Sequence, residues 1–185
     1  MRKLGQPKPD RRALQLSYKR AGILDIPLIF QLFQEGAEAG AFSDCFVTRT
    51  GSTQLFGTLL RSVVSQYFQS RKSNVRYEWQ IICNSDGVEV GFLKVRNGLG
   101  VCKDCNLELL AICAEHRNKG VGSSVLENIQ SNMSEGGNLY VHFTKYARAM
   151  QHILKRHHLK RNVKFSVPFL EEYQSALADL GSTPS

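Results

Sequence analysis

The stretch from Leu107 to Leu126 constrains the chain more than any other. Leu107 to Cys113 is an almost unbroken apolar run, interrupted by Glu108. Such a run suits a central strand buried on both faces. It feeds a basic, glycine-bearing turn, Arg117-Asn118-Lys119-Gly120-Val121-Gly122-Ser123. Over residues 120–133, Val121, Val125, Ile129 and Met133 then recur every four residues, which predicts an amphipathic helix. A strand that turns straight into a helix aims the helix N-terminus at the turn. There the first backbone N–H groups lack intrahelical partners and the helix dipole is positive, so an anion is favoured. Gly120 and Gly122 remove side chains that would block its approach, and Arg117 and Lys119 add full positive charge. The segment reads as a phosphate or pyrophosphate site.

Three anion-binding patterns compete for it. The P-loop needs its Lys after the glycines, and here Lys119 precedes them. The dinucleotide fingerprint needs a third glycine, and Val125 stands there. The pattern R/Q-x-x-G-x-G/A is met in full by Arg117 to Gly122.

Around this segment the chain reads as alternating strands and helices. Leu14, Leu16 and Tyr18 alternate with polar residues, predicting a strand. Asp25-Ile26-Pro27 starts a helix, with Asp as cap and Pro in the first turn, and a Gly/Ala-rich stretch at 36–41 ends it. A second helix covers 52–70. Tyr77 to Ile82 and Val88 to Val95 form a hairpin about the turn Asn84-Ser85-Asp86-Gly87, and Asn97 to Gly100 breaks the chain again. Leu139 starts another strand, 146–158 is helical, Val163 to Phe169 is a closing strand, and 170–180 adds a short helix through Leu170, Tyr173, Leu177 and Leu180. The order predicts a mixed α/β sheet with helices on its faces. Residues 1–12 read as a basic flexible tail and 13–185 as one domain.

With that order of elements, the motif region from Leu109 to Leu126 resembles the GCN5-related N-acetyltransferase (GNAT) superfamily, and the likeness spans about residues 14–169. The resemblance implies an α/β fold with a mixed, mostly antiparallel sheet, splayed central strands and about four flanking helices. It implies acetyl-CoA as co-substrate, lying where the strands splay. Leu110, Ala111 and Ile112 would offer backbone groups to the pantetheine arm. Arg117, Asn118, Lys119, Gly120, Val121, Gly122 and Ser123 would wrap the pyrophosphate with backbone N–H groups. The usual turn carries Pro and Gly where Ala114 and Asn118 stand here, and neither change removes a backbone donor. The implied reaction is direct transfer of the acetyl group to an amine, which needs a base, an oxyanion donor and an acid for the thiolate.

Glu108 is the first candidate base, since period two puts it on the same face as Leu110 and Ile112. Its place in an apolar run would raise its pKa if it were poorly solvated. Glu78 is the second. Many family members carry a Tyr in the last helix, followed by Gly-Phe. Here Ile153 or Leu154 stands at the Tyr, and histidines replace Gly-Phe, so Tyr146, His142 and His157 are the substitutes. The missing Tyr also admits a non-catalytic module of the same fold that binds CoA or nucleic acid.

Charge bears on the partner. The formal net charge is +8, with +6 in residues 1–20 and +7 in 141–165. The second block holds four of the five histidines and favours an acidic or phosphate-bearing partner, such as an aminoacyl-tRNA, or simply the phosphates of CoA. The basic tail could instead dock an acidic protein. A homodimer is a further expectation. Five cysteines without a secretory signal suggest reduced thiols and a cytoplasmic location. The single C-x-x-C, Cys102 to Cys105, lacks the second pair a structural zinc wants, so no metal is expected. No apolar run is long enough to predict a membrane-spanning helix.

Overall fold

The computed structural model describes residues 14–42, 44–69, 75–98, 103–133, 136–144, 147–162 and 170–175. Among these the chain runs β1 (Ser17–Arg20), α1 (Ile26–Glu38), α2 (Arg49–Ser65), β2 (Val75–Cys83), β3 (Glu89–Gly98), β4 (Cys105–Ile112), α3 (Val121–Asn132), β5 (Leu139–Thr144), α4 (Arg148–Arg156), β6 (Lys160–Arg161) and β7 (Leu170–Gln174). The strands make one sheet in the order β1-β2-β3-β4-β5-β7-β6. Neighbours are antiparallel except β4 and β5, which run parallel. Among the described residues the expected mixed, mostly antiparallel sheet with four α-helices is what the chain adopts.

Local chemistry sets most of the boundaries. Pro27 lies in the first turn of α1, and Asp25 Oδ2 just before it accepts from Gly22 N–H at 2.7 Å. Thr48 caps α2, its Oγ1 accepting from Gly51 N–H at 3.1 Å, so that helix begins at Arg49, earlier than its apolar stripe suggests. Asn84 Oδ1 accepts from the N–H groups of Asp86 and Val88 and closes the β2–β3 hairpin. β3 continues through Asn97 and Gly98, where the sequence predicts a break, because both pair with β2 and Asn97 also pairs with β4.

Two apolar layers flank the sheet. Ile29, Leu32 and Phe33 of α1 and Leu59 and Val63 of α2 pack on one face with Trp79, Ile81 and Phe92. Val125 and Leu126 of α3 and Leu154 of α4 pack on the other with Leu93, Leu107 and Val141.

Residues 170–174 form a strand where the sequence predicts a helix. The far edge of β5 needs a partner, and β7 supplies it along its whole length, from Tyr140↔Gln174 to Thr144↔Leu170. Ladder bonds on an open edge outweigh a weak helical period. The predicted tail at 1–12 and closing strand at Val163–Phe169 lie outside the described residues, as do Tyr146 and Cys102.

Candidate active site

The centre of the sheet is forked. β4 and β5 pair at Cys105↔Leu139, Asn106↔Tyr140 and Leu107↔Val141, and their pairing ends there. Beyond it β4 continues to Ile112 and β5 to Thr144, each paired only with its outer neighbour. The bend has a local cause. Lys94 of β3 faces Leu109 while Val95 faces Leu107, so Glu108 is the extra residue of a bulge. A bulge bends its strand and raises its twist, which carries β4 away from β5.

The fork corrects two expectations for β4. The strand is not buried on both faces, because residues 108–112 are only half-buried. Nor does Glu108 share a face with Leu110 and Ile112. Leu107, Leu110 and Ile112 all pack toward α3, while Leu109 and Ala111 pack toward α1 and α2. The bulge shifts the alternation, and Glu108 turns to the α1/α2 side, where it meets Lys94.

A cleft of about 420 Å³ opens at the fork. Its walls include Glu108, Leu109 and Leu110 from β4 and His142, Phe143 and Thr144 from β5, with Ala147 and Met150 below. Glu108 and His142 are the first residues past the last β4–β5 pair, one on each bank. Val141 and Phe143 point into the α3/α4 core, so His142 between them faces the α1/α2 side, as Glu108 does.

Both groups are held. Glu108 Oε2 lies 2.7 Å from Lys94 Nζ, and its Oε1 lies 3.7 Å from Arg96 Nε. Lys94 Nζ also stands 5.5 Å from the Trp79 ring centre and 5.7 Å from that of Tyr77. His142 Nε2 lies 2.6 Å from Oε2 of Glu172, its cross-strand partner on β7. Glu172 is buried and also accepts from Asn162 Nδ2 at 2.6 Å. The sequence singles out His142 but not Glu172 or Asn162, because Glu172 falls in a stretch read as helix and Asn162 between two predicted elements. Glu78 is not at the fork. It lies on β2, bonded to Arg76 and Gln80.

The predicted anion turn follows β4 after one short 3-10 turn, Ala114–His116. Asn118 and Gly120 both take left-handed backbone, with φ of 61° and 89°. Ser124 N–H donating to Gly120 O closes the first turn of α3, so the amides of Val121, Gly122 and Ser123 precede the helical ladder. Successive N–H groups in such a path form a concave anion cradle. The two glycines differ in purpose. Gly120 supplies the positive φ, whereas Gly122 makes room for α4, since a Cβ there would sit 2.9 Å from Ile153 Cδ1. Arg117 does not offer its charge to the turn: its Nε donates to Ile112 O at 2.9 Å, and its Nη2 to Glu35 at 3.0 Å. Leu110, Ala111 and Ile112 all lie on the stretch of β4 past the fork.

No protein-family model matches the chain. No curated protein matches it. Solved structures do. An acetyltransferase from Thermus thermophilus matches with TM-score 0.63 at 20% identity, over 88% of this chain and 97% of that one. A GNAT-family acetyltransferase from Streptococcus agalactiae matches with TM-score 0.62 at 16% identity, over 87% and 95%. This chain has the GNAT acetyltransferase fold. A spermidine N-acetyltransferase from Vibrio cholerae, solved with CoA and spermine, matches with TM-score 0.57 at 10% identity, over 86% and 93%. The GNAT resemblance seen in the Arg117–Gly122 motif thus agrees with the whole architecture.

No described cysteine lines the cleft. Cys83, Cys105 and Cys113 are free and buried, and burial pushes the Cys105 thiol up to about 11. Among the described residues no cluster of His, Cys, Asp and Glu could hold a metal ion. Among them, too, no helix is long and apolar enough to cross a membrane.

Proposed function

We propose that the chain is an acetyl-CoA-dependent N-acetyltransferase that passes an acetyl group directly to an amine. The observation that carries this reading is the fork: a cleft past the last β4–β5 pair, whose β4 bank leads through the short turn Ala114–His116 to the Asn118–Ser123 cradle. The residues present fit the co-substrate. The cleft is mostly apolar, as an acyl-pantetheine arm requires, and the cradle offers backbone donors to a diphosphate. Leu110, Ala111 and Ile112 would line the arm, and Arg117 to Ser123 the diphosphate, with Lys119 adding charge. Bound there, acetyl-CoA supplies an acetyl group activated as a thioester.

The chain's own groups then divide the proton work. The amine enters as an ammonium and gives its first proton to solvent. Glu108, whose Oε1 has only the longer contact with Arg96 among its described partners, takes the second as the new C–N bond forms. His142, oriented by Glu172, gives a proton to the sulfur as the C–S bond breaks. Glu108 then returns its proton to water and His142 regains one. The sum is one amide, one thiol and one proton released. In this assignment His142 does the work of the family's missing Tyr.

Isothermal titration with acetyl-CoA tests the reading. Wild type is expected to bind in the micromolar range, and Gly120→Glu is expected to abolish binding by placing a carboxylate in the cradle. Absence of binding by wild type, or equal binding by the variant, refutes it. Release of CoA thiol in the presence of amines separates catalysis from the alternative, a module that binds CoA without turnover.

A further inference from the structure

A second cavity meets the first. It measures about 680 Å³ and lies between α1, α2 and the sheet. The two share Phe42, Lys94, Leu109 and Thr144, so a molecule in one abuts a molecule in the other at the Lys94–Glu108 pair. The second cavity has an aromatic floor. Phe33 packs at 4.9 Å from Phe42, 5.6 Å from Phe46 and 6.5 Å from Trp79, centre to centre. Its uncharged polar lining is hydroxyl and amide: Thr48, Thr50, Thr58, Thr144, Ser62 and Gln54. Among its described lining residues Lys94 alone carries charge, and none is a carboxylate.

We infer that this cavity binds the acceptor, a small primary amine on an aromatic, otherwise uncharged body. The inference rests on the proposed acetyl transfer, and it adds the acceptor's chemistry. An aromatic body buries its area against Phe33, Phe46 and Trp79. Its amine then reaches the junction, where Glu108 is the carboxylate within the cleft lining. A polyamine fits badly. Its second ammonium would find Lys94 and no carboxylate among the cavity's described lining residues. The basic residues of 141–165 do not decide the acceptor either, since no Lys or Arg of that block lines either cavity among the described residues.

Trp79 is the chain's single tryptophan and lines the cavity, so its fluorescence reports occupancy without catalysis. Phenethylamine and spermidine are titrated against wild type, with and without CoA, and CoA-thiol release from acetyl-CoA is measured with each. Phenethylamine is expected to change Trp79 emission, and to be acetylated at least about tenfold more efficiently than spermidine. Thr58→Glu places a carboxylate on an exposed, cavity-lining position of α2, with little risk to folding. It is expected to narrow that ratio by weakening phenethylamine and admitting spermidine. Spermidine preferred by wild type, silent Trp79 emission with phenethylamine, or an unmoved ratio in Thr58→Glu would overturn the inference. Failure to bind CoA while phenethylamine still perturbs Trp79 would instead strike the proposed transfer and leave the cavity's assignment standing.

Discussion

Replacing Gly120 and Gly122 by alanine, one at a time, separates two jobs that the motif R-x-x-G-x-G runs together. Gly120 holds φ of 89°, and a Cβ there would meet nothing nearer than Leu14 Cδ1 at 3.5 Å. Space is not the obstacle; backbone conformation is. Forcing a non-glycine residue into that region costs about 1–2 kcal/mol. Gly122 shows the reverse. Its φ is ordinary, but its Cβ would sit 2.9 Å from Ile153 Cδ1. That atom is the tip of a flexible side chain, so a small rotation relieves the contact. The helix gains up to about 1 kcal/mol from exchanging Gly for Ala. The expected outcome in urea unfolding is a loss of about 1–2 kcal/mol for Gly120→Ala and a change within about 1 kcal/mol for Gly122→Ala. In titration with CoA, relaxing the strained turn re-aims the amides. Gly120→Ala should then lose about fivefold or more in affinity, the equivalent of about 1 kcal/mol, while Gly122→Ala keeps wild-type affinity. If Gly122→Ala proved the costly change and Gly120→Ala bound CoA normally, the cradle argument would fail.

Two further outcomes follow from the same geometry. Glu172→Gln keeps the shape but removes the charge that faces His142 at 2.6 Å, and a hydrogen bond to a charged group contributes about 1.5–3 kcal/mol. With phenethylamine as acceptor, kcat should fall about tenfold to a hundredfold while the KM for acetyl-CoA is unchanged; an equal rise in KM would make the residue merely structural. At alkaline pH the buried Cys105 thiol, raised from 9.0 to about 11, stays protonated in the folded chain after it ionises in the unfolded one. The unfolded state then binds fewer protons, so stability present below pH 9 is lost as pH climbs toward 11, by up to about 3 kcal/mol. Urea unfolding across that range checks the sign, and Cys105→Ala should flatten the slope; a slope unchanged in that variant would refute the attribution.

Much of this was legible before any coordinates. The apolar run, the basic glycine turn and the stripe Val121–Val125–Ile129 are local patterns, and β4, the turn and α3 follow from them. The hairpin at Asn84 is equally local. What could not be read is what depends on partners distant in sequence. Residues 170–174 became a strand because β5 offered an open edge some 30 residues earlier. Arg117 looked like a free cation, and only the fold brings Glu35 to it across 82 positions. The Glu172–His142 pair spans 30 positions and joins two strands whose adjacency no period announces.

Glu108 shows how one residue can serve two levels at once. In the sequence it is the lone interruption of an apolar run, which marks it as chemistry. In the fold it is the surplus residue of a bulge, which makes it architecture. The two roles depend on each other. Without the extra residue, Leu107 and Leu109 would be neighbours on opposite faces in regular alternation and β4 could stay beside β5, leaving no cleft to line. With it, the strand bends, the fork opens, and the displaced carboxylate turns toward the α1/α2 side, where the two cavities meet at Lys94. Deleting residue 108 should therefore do more than remove a carboxylate, since it restores the strand's register. Glu108→Gln, by contrast, keeps the bulge and removes only the charge. CoA binding retained in Glu108→Gln and lost in the deletion is the pattern that this double role requires.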